Sequence, residues 1–116
     1  DIEEYVFATF KGAGYGDLRA LAPLVCVQEN EGLTLVIERS NAESAGISTG
    51  VICRKISLRV HSSLAAVGLT AAVAGILAEH GISANMVAGY FHDHVFVPCD
   101  DADNALRLLE NLSCDG

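Results

Sequence analysis

The chain has 116 residues, of which 51% are hydrophobic and 19% are charged, so it has the composition of a compact folded protein rather than of a disordered segment. Fifteen acidic residues against seven basic ones give a net charge of −8, which argues against nucleic acid and anionic membrane surfaces as partners. The acidic start is unlike a signal peptide, and the longest uncharged stretch is better explained by a buried helix than by a membrane span, so we expect a cytoplasmic protein.

The four cysteines are far apart in the sequence and include no C-x-x-C pair; they are Cys26, Cys53, Cys99 and Cys114. Cys26 lies inside an apolar run, and Cys53 lies just before one. This arrangement argues against a disulfide framework or a zinc site and favours buried, reduced thiols. The sequence predicts no cofactor.

The first half of the chain alternates short strand and helix signals. Tyr5–Phe10 is β-branched and aromatic, as in a strand, and the three glycines of Lys11–Gly16 break it. Pro23 stops one short helical segment, and Gly46 ends another. The predicted elements are a strand over 5–10, one or two helical turns over 17–21, strands over 24–29 and 33–38, and a short helix over 40–45.

The second half has longer elements, beginning with an alternating strand over 52–60. Apolar residues then recur at helical spacing and predict a long helix that ends at Gly81. Its apolar stripe consists of Leu69, Ala72, Val73, Ile76 and Leu77. We next expect a strand over 84–90, a tight turn at His92–Asp93, a strand over 95–97 and a last helix from Asp100. The inward side of this last helix is predicted to be Ala102, Ala105, Leu106, Leu109 and Leu112.

Both halves have the order strand, helix, strand, strand, helix, which is an internal repeat in organisation. Each is one strand short of the ferredoxin-like unit βαββαβ. We therefore predict an α+β fold of two tandem ferredoxin-like repeats, residues 1–51 and 52–116, that share or exchange strands. The open sheet edge, and the small residues on the second face of the long helix, predict a homodimer; these residues are Ala71, Ala74, Gly75 and Ala78.

The loop His61–Gly68, which leads into the long helix, is the first candidate site. A helix start presents unpaired backbone amides that suit a carboxylate. Gly68 gives a ligand access to the backbone, and Ser62 and Ser63 offer hydroxyl groups. In the alternative interpretation these serines only cap the helix. Asn85, at the start of the next strand, is a further candidate whose ordinary role is a bond to the turn.

The sequence His92-Asp93-His94 is the second candidate site. On an extended strand His92 and His94 point to the same side, a spacing that suits zinc, and His61 is a further donor. The same histidines are suited to acid–base chemistry near neutral pH. No serine, cysteine or aspartate partner can be placed beside them from the sequence, and two histidines with one acid in a turn make an incomplete metal site.

The run from Val67-Gly68-Leu69 to His80-Gly81-Ile82, followed by Ala84-Asn85-Met86, resembles the ACT domain, a small ferredoxin-like module that binds amino acids and related effectors. The segment from Val60 to Pro98, together with YVFAT and LTLVIER earlier in the chain, is similar to a bacterial family of stand-alone tandem ACT-like repeats. The resemblance implies a ligand between two modules, held by the loop before the helix and by the following strand. Carried over, the implied ligand-binding residues are Ser62, Ser63, Val67, Gly68, Leu69, Asn85, Met86 and Val87.

Three functions are therefore compared. The first is an ACT-type sensor that binds a small molecule, with an amino acid as the leading ligand, and that has no catalysis of its own. The second is a metal-dependent enzyme that uses His92, Asp93 and His94 with His61. The third is a structural dimerisation module whose pocket is closed.

Overall fold

A computed structural model describes residues 3–48, 50–59 and 63–115 of the chain. The chain divides into two compact units, of which the first is Glu3–Ile52 and the second contains the described residues from Cys53 onward. Within the described residues, no helix is both long enough and apolar enough to cross a membrane.

The first unit is a three-stranded antiparallel sheet with two very short helical elements. Its strands are β1 (Glu4–Phe10), β2 (Val25–Glu29) and β3 (Gly32–Glu38), and β3 lies between the other two. A single 3₁₀ turn covers Arg19–Leu21, shorter than the segment predicted over 17–21, and α1 covers Arg39–Ser44. Gly46, with a φ of 72°, follows α1 as predicted.

The core of the first unit comes from alternate positions of its strands. Leu33, Leu35 and Ile37 of β3 are fully buried on one face, where they pack with Val6 and with Ala42 of α1. The period of two in this strand therefore aims every second apolar side chain at the core. Gly32 starts the strand, where a Cβ atom would lie 2.7 Å from the Phe10 carbonyl oxygen.

The thiol of Cys26 is exposed, which corrects the prediction that it is buried. Cys26 lies on β2, which pairs with β3 alone within this unit and is exposed along most of its length. An edge strand has a neighbour on one side only, so its apolar composition does not guarantee burial. Cys53 is buried, in agreement with the prediction.

The second unit has the same element order and the same sheet topology as the first. Its strands are β4 (Ile52–Arg59), β5 (Asn85–Ala88) and β6 (His92–Pro98), all antiparallel, with β6 in the middle. The helices are α2 (Ser63–Glu79) and α3 (Ala102–Asp115), with a 3₁₀ turn at Cys99–Asp101. The predicted α+β architecture, and its repeat of strand, helix, strand, strand, helix, are thus confirmed.

Helix α2 begins at Ser63, not at the predicted entry near Gly68. Val73 and Leu77 carry its packing against the sheet, and Ala72, which was predicted to belong to this stripe, is exposed. At the other end Gly81 has a φ of 70°, and the Ile82 amide donates to the Leu77 carbonyl over 2.9 Å. This is the left-handed glycine stop that the sequence predicts.

Helix α3 covers the same face of the sheet as α2. Ala102, Ala105 and Leu109 are buried there, as predicted. Leu106 is 45% exposed, however, and Leu108 packs against the core instead. The prediction for Leu106 was therefore wrong because the apolar face of the helix is rotated toward Leu108. The side chain of Leu112 lies outside what the structure describes.

The turn between β5 and β6 is at Tyr90–Phe91, not at His92–Asp93 as predicted. The Gly89 amide donates to the His92 carbonyl over 2.8 Å, and a Cβ atom at Gly89 would lie 2.8 Å from that same oxygen. Tyr90 and Phe91 are 91% and 71% exposed and meet edge to face with ring centroids 4.8 Å apart. The histidines and Asp93 consequently belong to a strand.

Candidate ligand-binding site

The entry to α2 differs from the prediction in a way that affects the candidate ligand loop. The first four amides of a helix have no intrahelical partner, and in α2 these belong to residues 63–66. Gly68 is the sixth residue of α2, so its amide lies within the helical hydrogen-bond ladder. The helix start that could hold a carboxylate therefore lies about one turn earlier than predicted, at Ser63.

Several of the predicted ligand-binding residues lie at the edge of what the structure describes. His61 and Ser62 fall outside the described residues. Ser63, Val67 and Leu69 lie in the first two turns of α2, but their side chains are outside the description.

Gly68 lies on the exposed side of α2, where an added Cβ atom would meet nothing within 4 Å. Gly75, two turns further along, has the same open surroundings. Glycine costs a helix interior about 1 kcal/mol relative to alanine, and neither tight packing nor a turn requires a glycine at these two positions. The bare backbone at Gly68 is therefore accessible to an approaching group.

The three predicted residues on β5 are divided between the two faces of the second sheet. Met86 lies opposite Val95 and packs against the core under the helices. Asn85 and Val87 alternate with it and so point to the other face, where Asn85 is exposed. Of these three residues, only Asn85 and Val87 share a surface.

We call this second surface the polar face, because it combines basic, hydroxyl and amide side chains. The register places Ser57, His94 and Val87 side by side in one row, and Lys55, Phe96 and Asn85 in the next. Phe96 is fully buried, whereas Ser57 and Asn85 are exposed. The polar face therefore presents hydrogen-bonding groups around a buried aromatic ring; its members are Lys55, Ser57, Asn85, Val87, His92, His94 and Phe96.

His94 is held in place by a bond to the neighbouring strand. Its Nδ1 atom lies 2.8 Å from the Ser57 hydroxyl oxygen, and its ring lies 6.3 Å from that of His92, with the two planes 27° apart. Partial burial lowers the pKa of His94, and the nearby charges of Lys55 and His92 lower it further, while Asp93 opposes them. The imidazole of His94 is thus favoured in its neutral form.

The predicted metal ligands do not converge among the described residues. Asp93 is only 6% exposed and alternates with His92 and His94, so its carboxylate lies on the opposite, helix-covered face. In the described part of the chain no group of three or more His, Cys, Asp or Glu side chains is arranged to hold a metal ion. Among the described residues, His92 and His94 have no third donor beside them, and His61, the further donor that the sequence suggested, lies outside the described residues.

Ser57 was not predicted from the sequence to be a partner of His94. The two residues are 37 positions apart, and only the register of β4 against β6 brings them together. The predicted turn at His92–Asp93 took those two residues out of the strand. The pairing of His94 with β4 could then not be predicted. The available signal was the period-two alternation of 52–60, which places Ser57 on the side opposite Ile56 and Leu58.

Comparisons with known proteins assign this architecture to a family. Models described as ACT domain match residues 50–111 and residues 1–54. The chain belongs to the ACT domain family, and the prediction of two ACT-like repeats is confirmed. ACT domains are regulatory modules rather than catalytic ones, which fits a role in ligand-dependent regulation.

A solved structure is also similar to this chain. The chain is 53% identical to a protein of unknown function from Vibrio cholerae, described as a possible transport protein, with a TM-score of 0.83. The match covers 91% of this chain and 80% of the other. No curated protein was found to match the chain.

Proposed function

We propose that this protein is an ACT-type regulator that binds a small molecule, with an amino acid as the leading candidate, and that it performs no catalysis of its own. The observation that carries the proposal is the match of both halves to ACT-domain models. The dispersal of His92, Asp93 and His94 over two faces weakens the alternative of a metal-dependent enzyme. We place the protein in the cytoplasm.

The proposed ligand site uses the start of α2 and the start of β5. In this proposal the ligand carboxylate accepts hydrogen bonds from free amides in the first turn of α2, near Ser63. The ligand lies against the bare backbone of Gly68, and Met86 is the β5 side chain that lies on the same, helix-covered face of the sheet. The remaining residues of the proposed site are Ser62, Val67 and Leu69, whereas Asn85 and Val87 point to the opposite face of the sheet and are not part of it.

The test compares thermal unfolding of the wild type and of two glycine variants in the presence of each amino acid. A ligand at 100 times its Kd stabilises the folded state by about 2.7 kcal/mol, which raises Tm by several degrees in a chain of this size. We expect Gly68→Ala to lose this response because its added methyl group occupies the approach to the backbone.

Gly75→Ala is the matched control. It adds the same methyl group to the same helix in equally open surroundings, two turns away from the proposed site. Without ligand, both variants should raise Tm by similar amounts, because alanine replaces glycine in an exposed helix position. If no amino acid raises the wild-type Tm, or if Gly68→Ala responds as well as Gly75→Ala, the proposed site is wrong.

We further propose that the functional form is a homodimer. Ala71, Gly75 and Ala78 recur on one exposed side of α2, and small side chains allow another helix to approach closely. Sedimentation equilibrium measures the state of association. We expect the wild type to be dimeric and Ala71→Glu to dissociate it, whereas an equally charged change at the exposed Asn104 of α3 should not. If the wild type is monomeric, the proposed dimer surface is wrong, and so is the alternative of a structural dimerisation module.

A further inference from the structure

Asp93 is the only polar or charged residue that the fold buries among the described residues, with 6% of its surface exposed. It lies opposite Leu58 of β4 and Ala88 of β5, two residues before the core residue Val95. Its carboxylate is therefore on the helix-covered face of the second sheet, at the edge of an apolar core. A buried carboxylate without a compensating partner costs free energy, so its presence requires a physical reason.

No hydrogen bond or ion pair to the Asp93 carboxylate is found among the described residues. Arg54 is on the same face but lies opposite Val97, four residues along β6, which is about 13 Å away. Arg107 of α3 donates to Asn104 of its own helix, and α2 contains no basic residue. The basic residues of the polar face point to the other side of the sheet. The carboxylate is thus available to a cation from outside the chain.

The start of α2 lies at the same end of the sheet as Asp93. β4 ends at Arg59, one residue after the position opposite Asp93, and α2 begins at Ser63. Four residue steps span at most about 14 Å. From there α2 runs back over the helix-covered face, where Val73 joins the core. The unpaired amides of the first turn of α2 and the buried carboxylate are therefore on one face and at one end of the sheet.

We propose that the Asp93 carboxylate binds the ammonium group of a small molecule whose own carboxylate is held by the first-turn amides of α2. A helix start favours an anion and a lone carboxylate favours a cation, so together they match the two charges of a zwitterion. The apolar neighbours Leu58 and Ala88 reduce the screening of the ion pair. This inference rests on the proposed function and narrows its ligand class to 2-amino acids, as opposed to 2-hydroxy or 2-oxo acids.

The test compares ligands that differ only in the ammonium group. The standard L-amino acids are screened by thermal unfolding, and each one that raises Tm is compared by calorimetry at pH 7 with its 2-hydroxy analogue, such as L-leucine with (S)-2-hydroxy-4-methylpentanoate. We expect the analogue to bind at least about tenfold more weakly, because it lacks the charge-assisted hydrogen bond to Asp93. Butylamine, which has an ammonium group and no carboxylate, tests the Asp93 half of the site alone.

Asp93→Asn removes the charge and keeps the shape of the side chain. This variant should bind the amino acid at least about tenfold more weakly and lose the preference over the 2-hydroxy analogue. Without ligand it should have a raised Tm, because an uncompensated buried charge has been removed. Asp103→Asn makes the same change at an exposed position of α3 and should leave the affinity and the preference unchanged.

If an amino acid and its 2-hydroxy analogue bind equally well, or if Asp93→Asn binds the amino acid as the wild type does, the role of Asp93 is wrong and the proposed function stands. A lowered Tm of unliganded Asp93→Asn also contradicts this role, because it indicates a structural partner for the carboxylate. If butylamine alone raises Tm, and only with Asp93 present, the cation site stands and the proposed function is wrong. No response to any of these compounds overturns both.

Should Asp93→Asn fail to fold, the comparison of amino acid with 2-hydroxy analogue in the wild type still decides the outcome.

Discussion

The carbonyl oxygen of Leu77 accepts the amide hydrogen of Ile82 over 2.9 Å and closes the C-terminal end of α2. Between them Gly81 takes a left-handed conformation, with a φ of 70°. The same helix holds Gly75 in its interior, exposed and with open surroundings. Gly81 therefore has a left-handed conformation that other residues rarely adopt, whereas Gly75 has an ordinary helical conformation.

The two positions should respond with opposite signs to the same substitution. Gly81→Ala forces a side chain into the left-handed region and should lower the free energy of unfolding by about 1–2 kcal/mol. Gly75→Ala should raise it by up to about 1 kcal/mol. Chemical denaturation measures both. A neutral Gly81→Ala would show that the left-handed helix stop contributes nothing to stability.

The second core depends on Leu77, which is fully buried between α2 and the sheet. Leu77→Ala should lower the free energy of unfolding by about 2–5 kcal/mol, since the removed atoms leave a cavity. Leu106→Ala removes the same atoms from a half-exposed position on α3 and should cost under about 1 kcal/mol. Equal losses in the two variants would contradict the assignment of Leu106 to the exposed side of α3.

The pKa of His94 gives stability a defined pH dependence. Burial, followed by the charges of Lys55 and His92, lowers the pKa of His94 in the folded state, so the unfolded chain binds more protons there. Stability from this group is fully present above its ordinary pKa of about 6.5 and is lost as the pH falls toward the lower, folded value. His94→Gln should therefore flatten the dependence of unfolding free energy on pH between about 5 and 7.

The NMR titration of the His94 Cε1–H signal checks the cause directly. We expect a midpoint below 6.5, which Lys55→Gln should move upward because it removes a neighbouring positive charge. A midpoint at or above 6.5 in the wild type would contradict the proposed surroundings of the ring.

The cysteines should differ strongly in reactivity. Cys26 is exposed on β2, whereas burial, with a smaller contribution from Cys99, raises the pKa of Cys53 and disfavours its thiolate. Alkylation at pH 8 followed by peptide mass spectrometry should modify Cys26 first and Cys53 only on unfolding. The Cys26→Ser variant should lose the fast phase of labelling, and fast modification of native Cys53 would contradict its burial.

Much of the fold follows from the sequence because its strongest patterns have a single physical solution. The alternation of LTLVIE and the helical spacing of Val73 with Leu77 each match one element and one buried face. Gly46 and Gly81 mark helix ends because other residues adopt their conformation only at a cost. These local signals need no knowledge of the partner strands.

The candidate site was harder to predict, because it depends on register and on element boundaries. Tyr90 and Phe91 have the composition of a strand, yet they form the turn, and this displaced His92–Asp93 from its place in β6. The apolar stripe of α2 begins only at Leu69, and the capping signal of Ser62 and Ser63 was given less weight, so the beginning of α2 was placed too late. The contact between Ser57 and His94 could not be predicted while the turn was misplaced.

Each unit of the chain forms its own core from its own residues, but the helical elements of the two units differ in length. The helical elements of the first unit have three and six residues, and α2 and α3 of the second have 17 and 14. In the first unit the buried side chains therefore come mainly from the strands, whereas in the second unit the helices contribute Val73, Leu77, Ala105 and Leu109.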